Sequence, residues 1–345
     1  MHKLKRRKLK STLVTLIALI AAAAALLTLA SCGGEPVTPP TPSNTQAGAV
    51  SPAQTPASPS ETPAAPSYLD TVSEIVMCYL PNEGSDEYTE SRGFLHRDLG
   101  DYLGVEVTEI NAADYNAVVE AMRTKNADIA SFGPVSYVQA HDRSNAEALV
   151  LVAPDGKKEL TGYTSLIITQ PSSSVKTLSD LEGRSFAYVD PASTSGNYVP
   201  TLEFMNAFPG KTNEDFHSNG AFFSSVTFSG KHQNSVYAVV NGDVDAAAVA
   251  SDTLRSMILN GEVSEDQFVV IHESAKIPTS PIAIRGDLPQ DLKDKVKEFF
   301  LGYRNDEYFA AIYGLTPEDN ASFIEADDSD YDYVRELMEK VMPPQ

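Results

Sequence analysis

The sequence predicts an α/β fold of two lobes, each built on a mostly parallel sheet flanked by helices. Short apolar runs alternate with amphipathic helical segments from residue 74 onward, a pattern typical of parallel sheets covered by helices. The 278 residues from Tyr68 to the end are many for a single core, so two lobes are expected. A cleft between two lobes is the usual place for a small-ligand site.

The amino-terminal residues predict an export signal. Six basic residues within the first ten precede an apolar run from Leu13 to Leu29, and Leu-Ala-Ser-Cys ends at Cys32. This ending resembles the bacterial lipobox, in which the cysteine is acylated and becomes the first residue of the mature chain. A plain signal peptide or a single membrane anchor is the alternative, but a 17-residue run is marginal for spanning a bilayer. We therefore expect a lipoprotein signal peptide at 1–31 and a lipid on Cys32.

Residues 32–67 are expected to form the lipidated cysteine and a disordered tether, because Gly33 to Pro66 is rich in Pro, Thr, Ser and Ala and contains nine prolines. Loss of residues 1–31 would remove six basic residues and no acid, taking the formal net charge from -21 to -27. Such a protein does not bind nucleic acid nonspecifically, and any anion must be held by local donors.

The elements follow from the hydrophobic pattern and its stop signals. Gly104 ends the first helix, and the second helix places Tyr115, Val118, Val119 and Met122 on one face. Strands are expected at 74–80, 105–110, 129–132, 164–169, 185–190, 245–250 and 268–272. Helices are expected at 87–102, 113–123, 195–206, 234–241 and 252–259, with a helical acidic tail from residue 288. Cys78, in the first strand, is expected to be a buried hydrophobe.

The Ser-Thr-Ser turn (residues 193–195) is a candidate anion site. It follows a strand and Pro191 and opens a helix through Gly196. Backbone N–H groups at a helix start are unpaired and carry partial positive charge, and neighbouring hydroxyls add donors. The same residues also fit an ordinary helix N-cap, and the pattern alone leaves both interpretations open.

Four segments resemble the phosphate/phosphite/phosphonate-binding proteins of ABC importers, of the PhnD type. They read DYNAVVEAM at 114–122 with ADIASFGPVSY at 127–137, DPASTSGN at 190–197, GKHQNS at 230–235 with AVVNGDVDAA at 238–247, and SAKIPTSP at 274–281. Their order along the chain is more specific than any one segment. The resemblance covers nearly everything from Glu74 to about Phe300.

The resemblance implies a type II periplasmic binding protein in which the chain crosses between lobes near Tyr163 and near Ile277. Lobe 1 is expected at 68–162 plus 277–345 and lobe 2 at 163–276. The expected function is capture of phosphate, phosphite or an alkylphosphonate outside the cell by a protein anchored to the outer face of the membrane. The expected partner is an ABC permease with its ATPase subunit. We expect a monomer with no cofactor, no metal and no enzymatic activity.

The resemblance also implies the site residues. Tyr137 is expected to donate its phenol to a phosphoryl oxygen, with Ser136 a weaker candidate, although Tyr137 also fits an aromatic that supports the hinge. His232 is expected to bind the anion in its charged form. The remaining ligand-binding candidates are Ser193, Thr194, Ser195, Asp252 and Ser280. Relatives that bind aminophosphonates often have Asp where this chain has Ser280, which favours a ligand without an amine, although Asp252 remains.

Three other functions are possible. Another small ligand could occupy the cleft, but an amino-acid receptor usually needs an Arg for the α-carboxylate, and the four segments contain none. A hydrolase could use Ser193, His232 and Asp252 as a triad, but the sequence lacks a G-x-S-x-G elbow, H-E-x-x-H and a P-loop. A sensory ectodomain would have to act through a partner, because we expect no cytoplasmic segment in this chain.

Overall fold

The structure, a computed structural model, describes residues 67–68 and 71–342, which lie within one compact unit. The predicted signal peptide, Cys32 and all of the predicted tether except Ser67 lie outside the described residues. Within the described part of the chain, no helix is both long enough and apolar enough to cross a membrane.

The described residues form strands and α-helices in alternation. The strands are β1 (Glu74–Tyr79), β2 (Glu106–Asn111), β3 (Ile129–Ser131), β4 (Ala146–Ala153), β5 (Ser165–Thr169), β6 (Ser185–Tyr188), β7 (Ser225–Phe228), β8 (Ala246–Ala250), β9 (Val269–Glu273), β10 (Pro281–Arg285) and β11 (Ser322–Glu325). The helices are α1 (Thr89–Leu103), α2 (Tyr115–Arg123), α3 (Pro134–Ser144), α4 (Val199–Ala207), α5 (Asn213–His217), α6 (His232–Asn241), α7 (Ser251–Leu259), α8 (Gln290–Gly302), α9 (Asp306–Tyr313) and α10 (Asp332–Val341).

Two sheets organise the molecule. Lobe 1 is built on a sheet of order β11-β4-β10-β3-β1-β2, and lobe 2 on a sheet of order β7-β6-β8-β5-β9. The predicted α/β class is confirmed, but the sheets are mixed, not mostly parallel. Strand β10 is antiparallel to β3 and β4, and β5 is antiparallel to β8 and β9. Both β5 and β10 are the first strands after a crossing between lobes, so they run away from the cleft while their neighbours run toward it.

The two crossings lie side by side at an isolated antiparallel bridge between Tyr163 and Ile277. The Tyr163 N–H donates to the Ile277 carbonyl at 3.1 Å, and the Ile277 N–H donates to the Tyr163 carbonyl at 2.7 Å. The next residue back, Gly162, has φ of +104°, a conformation that glycine adopts without strain. The lobe boundaries drawn from the sequence stay a prediction.

The hydrophobic core continues from one lobe into the other. One buried cluster combines Val135 and Leu337 of lobe 1 with Val189, Tyr198 and Val199 of lobe 2. Helix α10 packs against both α3 and α4. Apolar side chains that flank the Ser-Thr-Ser turn are therefore part of the contact between the two lobes.

Several elements differ from those expected. The sequence did not indicate β4, β7 or β10, and β11 interrupts the tail that was expected to be helical. The helix expected at 195–206 begins with a π-helical turn at Thr194–Tyr198 and continues as α4. Helix α6 begins at His232, two residues earlier than expected.

Candidate functional site

A cavity of about 290 Å³ lies between the lobes and is lined by both of them. The polar residues of its lining include Asn82, Glu83 and Tyr115 from lobe 1, Ser193, Thr194, Ser195, His232 and Asp252 from lobe 2, and Tyr163, Thr279 and Ser280 from the crossings. The other polar residues of the lining are Thr161, Ser251, Thr253, Arg255 and Tyr313. All predicted ligand-binding candidates except Tyr137 and Ser136 are among these residues. Apolar side chains, including Leu80, Leu160 and Ile312, line the remainder.

The Ser-Thr-Ser turn presents unpaired donors to this cavity. The N–H groups of Thr194 and Ser195 open the π-helical turn and bond to none of the described residues, as expected for the first positions of a helix. Ser193 Oγ accepts from the Gly196 N–H at 3.0 Å, which leaves the Ser193 hydroxyl hydrogen free to donate. Backbone and hydroxyl hydrogens thus reach the cavity from consecutive residues.

Gly196 makes this turn possible. A Cβ at this position would collide with the side chain of Val189 and would stand 2.7 Å from Ser193 Oγ. The Val189 N–H also donates to the Gly196 carbonyl at 3.0 Å, which holds the end of the β6 segment against the turn. The glycine therefore allows the backbone of the turn to pack directly on the preceding strand.

Two of the bonds made by the 190–197 segment cross to lobe 1. Thr194 Oγ1 accepts from the Val135 N–H at 2.8 Å and so caps the start of α3 from the opposite lobe. Asp190 Oδ2 accepts from the Tyr115 N–H, at the start of α2, at 3.4 Å. The turn that offers donors to the cavity is thereby fixed relative to lobe 1 as well as lobe 2.

Further interlobe bonds surround the cavity. Lys231 Nζ donates to Ser85 Oγ at 2.8 Å, and Gln233 Nε2 donates to the Asn82 carbonyl at 3.0 Å. On the α7 side, Ser256 Oγ donates to the Ala311 carbonyl at 2.5 Å. These contacts describe a closed arrangement of the lobes, in which the cleft has become a cavity.

His232 is a neutral donor, so the expected charged form is wrong for this structure. Its Nδ1 accepts from the Ala250 N–H at 3.0 Å, which requires Nδ1 to be unprotonated and places the ring hydrogen on Nε2. Burial lowers the pKa of His232 to about 3. The side chain is only 4% exposed, and Nε2 bonds to none of the described residues. The imidazole therefore offers one fixed N–H to the cavity and no charge.

Two carboxyl groups line the same cavity from opposite lobes. Burial raises the pKa of Glu83 to about 7, a rise opposed by the nearby Ser131 hydroxyl and reinforced by the charge of Asp252. Burial likewise raises the pKa of Asp252 to about 6, although Asp252 Oδ1 accepts from the Thr253 N–H at 2.7 Å. Asp252 therefore bonds an N–H in the first turn of α7 and also lines the cavity. Glu83 was not among the predicted ligand-binding residues.

Tyr115 and Tyr163 also line the cavity and were missed as site residues. The Tyr115 hydroxyl donates to Asn82 Oδ1 at 2.9 Å. Burial raises the pKa of Tyr163 well above its usual range, and the hydroxyls of the Ser-Thr-Ser turn and Ser280 oppose that rise. Helical periodicity placed Tyr115 on a buried face, but could not indicate that this face reaches the cleft. Tyr163 was noted only as a crossing point.

Tyr137 and Ser136 do not belong to the cavity lining, so the structure does not support their expected ligand roles. The Tyr137 hydroxyl donates to Asp328 Oδ1 at 3.0 Å and accepts from the Ala148 N–H at 3.2 Å. Ser136 Oγ donates to the Gly133 carbonyl at 3.0 Å. Helix α3 directs Tyr137 toward β4 and the Asp328 segment, because only its first residues face the cleft. The alternative role of Tyr137, as an aromatic that supports the fold, agrees with this geometry.

The site lacks the geometry of a hydrolase. In a Ser-His-Asp triad the histidine Nδ1–H donates to the carboxylate. Here Nδ1 of His232 is itself an acceptor for the Ala250 N–H, so it cannot donate to Asp252. Cys78 is buried in β1, and burial raises the pKa of its thiol to about 12, so it is not a nucleophile. Within the described residues, no group of three or more His, Cys, Asp or Glu side chains could hold a metal ion.

Two α/β lobes joined by paired crossings and closed over a donor-lined cavity define the class of type II periplasmic binding proteins. The family model of ABC-transporter phosphonate periplasmic substrate-binding proteins matches residues 77–331. The chain belongs to this family. It is therefore an extracytoplasmic binding protein and not an enzyme, as predicted.

Curated relatives agree with this assignment. The chain is 31% identical over 230 residues to the phosphonates-binding periplasmic protein of Escherichia coli, and the match covers 65% of this chain and 62% of that protein. It is 30% identical over 274 residues to the phosphate-import protein PhnD of Mycolicibacterium smegmatis, and that match covers 76% of this chain and 84% of the relative.

Solved structures share the fold. PhnD1 from Prochlorococcus marinus, in complex with methylphosphonate, has a TM-score of 0.66 at 20% identity, and the match covers 79% of this chain and 99% of that one. A binding-protein component of an ABC phosphonate transporter from Pseudomonas aeruginosa has a TM-score of 0.65 at 24% identity, and the match covers 76% of this chain and 85% of that one.

Proposed function

We propose that this protein captures a phosphorus oxyanion, namely phosphate, phosphite or an alkylphosphonate, and delivers it to the permease of an ABC importer powered by an ATPase subunit. One observation carries the proposal. The unpaired N–H groups of Thr194 and Ser195, the Ser193 hydroxyl and the His232 Nε2–H all reach one interlobe cavity. Convergent neutral donors can hold an anion in a strongly acidic protein, because they act locally.

The names of relatives support this class of ligand. One relative is named for phosphonates, one for phosphate import, and a third, from Prochlorococcus marinus, is a probable phosphite-binding protein. Tyr115 and Tyr163 complete the proposed oxyanion site, since both phenols border the cavity beside the Ser-Thr-Ser turn. Ser280 adds a hydroxyl near Tyr163.

We further propose that the protein acts as a monomer and is held at the outer face of the membrane by a lipid on Cys32. The lipobox-like Leu-Ala-Ser-Cys sequence and the proline-rich tether support this arrangement. A tether of this composition gives the binding lobes reach above the membrane surface, where they meet the permease.

Calorimetric titration tests the ligand class. We expect saturable binding of phosphate, phosphite or methylphosphonate with one site per chain, and weak or no binding of sulfate and of arginine. Ser193→Ala, which removes one of the named hydroxyl donors, should weaken binding of the same ligand. Failure of every phosphorus oxyanion to bind, or tight binding of arginine, would contradict the proposal and support a receptor for another small ligand.

A further inference from the structure

The carboxyl groups of Glu83 and Asp252 are not explained by anion binding. Both border the cavity that contains the proposed oxyanion donors, and they come from different lobes, Glu83 from the β1–α1 loop and Asp252 from the first turn of α7. Closure of the lobes therefore brings two acids and an anionic ligand into one enclosed space. Like charges in such a space repel strongly, because little water remains to screen them.

The groups facing the pair offer little compensating charge. Those that interact with the Glu83 carboxyl are Ser131 from β3, Arg92 from α1, Tyr79 from β1, Tyr115 from α2, Tyr308 and Tyr313 from α9, and Asp252 itself. Those around Asp252 are Thr253 from its own helix, Tyr163 from the crossing, and Glu83. The tyrosines and hydroxyls are neutral, so cations are the only groups that could balance the pair.

The two arginines near this space are already paired with carboxylates, whereas Lys231, which is outside the cavity lining, donates to the neutral Ser85 hydroxyl at 2.8 Å. Arg92 Nε and Nη2 donate to the two oxygens of Glu109 at 2.9 and 3.0 Å, and Nη1 donates to the Glu83 carbonyl rather than to its carboxyl. Arg255, the one Lys or Arg in the cavity lining, donates from Nη2 to Asp319 at 2.8 Å. His232 is neutral, because its Nδ1 is an acceptor. Within the cavity lining, a proton is therefore the available counter-charge when the ligand carries no amine.

We propose, on the basis of the function proposed above, that closure around a phosphorus oxyanion is coupled to uptake of a proton by the Glu83–Asp252 pair. Glu83 and Asp252 then make affinity depend on pH. The raised pKa values of both carboxyls already favour the protonated form in the closed protein, and a bound anion shifts them further in the same direction. The unpartnered Nε2–H of the buried His232 independently identifies this cavity as the place of the ligand.

The sign of the pH dependence follows from linkage. If the complex binds more protons than the free protein, affinity rises as pH falls and declines as pH rises. Each proton taken up changes the dissociation constant by up to about tenfold per pH unit. The ionisation of the free ligand contributes equally to the number of protons taken up by every variant. Comparison between variants therefore isolates the contribution of the carboxyl pair.

The test is calorimetry with methylphosphonate at pH 6, 7 and 8, each in two buffers of different ionisation enthalpy, which counts the protons taken up. The variants are Glu83→Gln, Asp252→Asn and the double variant, with Glu90→Gln, the same change at an exposed acid on α1, as the matched control. We expect the wild type and Glu90→Gln to take up more protons than either single variant, and the double variant to take up the fewest. Wild-type affinity should fall relative to the double variant as pH rises.

Equal proton counts in the wild type and the double variant, with parallel pH profiles, would overturn the inference while leaving oxyanion binding intact. Absence of methylphosphonate and phosphate binding by the wild type would instead contradict the proposed function, and the inference would fail with it. The single variants keep the test decisive if the double variant does not fold, since each removes half of the pair.

Discussion

The hydroxyl of Thr194 contributes to lobe closure and to the proposed ligand contacts at once. Its oxygen accepts from the Val135 N–H across the cleft, so its hydrogen remains available to the cavity. We expect Thr194→Ala to weaken oxyanion binding by roughly 1–3 kcal/mol, the usual cost of losing a hydrogen bond to a charged acceptor. Calorimetry should show Thr194→Ser close to the wild type, because serine keeps the hydroxyl. Equal affinities of the alanine variant and the wild type would contradict this role.

His232 is expected to bind as a neutral N–H donor. Because burial lowers the pKa of its imidazole to about 3, the ring does not change charge between pH 6 and 8. We expect His232→Ala to lower affinity for methylphosphonate by about the same factor at every pH in that range, since only a neutral hydrogen bond is lost. Parallel curves of log affinity against pH for variant and wild type would support this. A flat curve in the variant alone would indicate a charged histidine.

At the scale of elements, the end of α9 touches α7 of the other lobe. Gly314 ends α9 with φ of +64°, and a Cβ there would stand 2.7 Å from the Ser256 N and 3.1 Å from the Asp252 carbonyl oxygen. Gly104 ends α1 in the same left-handed conformation, with φ of +74°, but a Cβ there meets nothing within 4 Å. The two glycines are thus matched in backbone strain and differ in their closeness to the opposite lobe.

We expect Gly314→Ala to weaken ligand binding and Gly104→Ala to leave it nearly unchanged. Both substitutions should cost about 1 kcal/mol of stability through the left-handed conformation, but only the first obstructs closure. Thermal unfolding measures the shared cost, and calorimetry with methylphosphonate measures the difference. Equal loss of affinity in the two variants would show that α9–α7 contact does not limit closure.

Sequence patterns indicated the elements whose signals are local. Helix α2 shows its apolar face in the spacing of Val118, Val119 and Met122, and Gly104 marks the end of α1. Strand β10 has five residues and exists because β3 and β4 lie on either side of it, a long-range pairing that periodicity does not report. Strand β11 has four residues within an acid-rich tail and depends on pairing with β4 in the same way.

The same limit applies to the site. The Ser-Thr-Ser turn was identified because hydroxyl residues, Pro191 and Gly196 form a local signal. Glu83, Tyr115 and Tyr163 also line the cavity but were not identified, because no local pattern distinguishes them from ordinary loop or core residues. Tyr137 was assigned to the ligand from the family resemblance, whereas the direction of α3 turns it toward Asp328.

For the molecule as a whole, the half-buried acids of the cavity make the stability of the folded protein sensitive to pH. Burial raises the pKa of Glu83 to about 7 in the folded protein, above the 4.5 that is usual for a glutamate in water. Folding therefore binds protons, and the contribution of Glu83 to stability is fully present below pH 4.5 and is lost as pH rises through 7. We expect the free energy of unfolding of Glu83→Gln, relative to that of the wild type, to be higher at pH 8 than at pH 4.5. Urea unfolding without ligand, with Glu90→Gln as control, measures this, and an identical difference at both pH values would contradict it.

Membrane attachment belongs to the whole molecule too, because it determines where the binding lobes meet the permease. If Cys32 carries diacylglycerol, two acyl chains hold the protein stably, since a single chain gives only reversible binding. We expect Cys32→Ser to release the protein into the medium and Cys78→Ala to leave it on the membrane, because Cys78 is buried in β1 and unavailable for acylation. Fractionation of cells expressing each variant tests this. Retention of the Cys32→Ser protein on membranes would show that attachment depends on another feature, such as an uncleaved apolar run at 13–29.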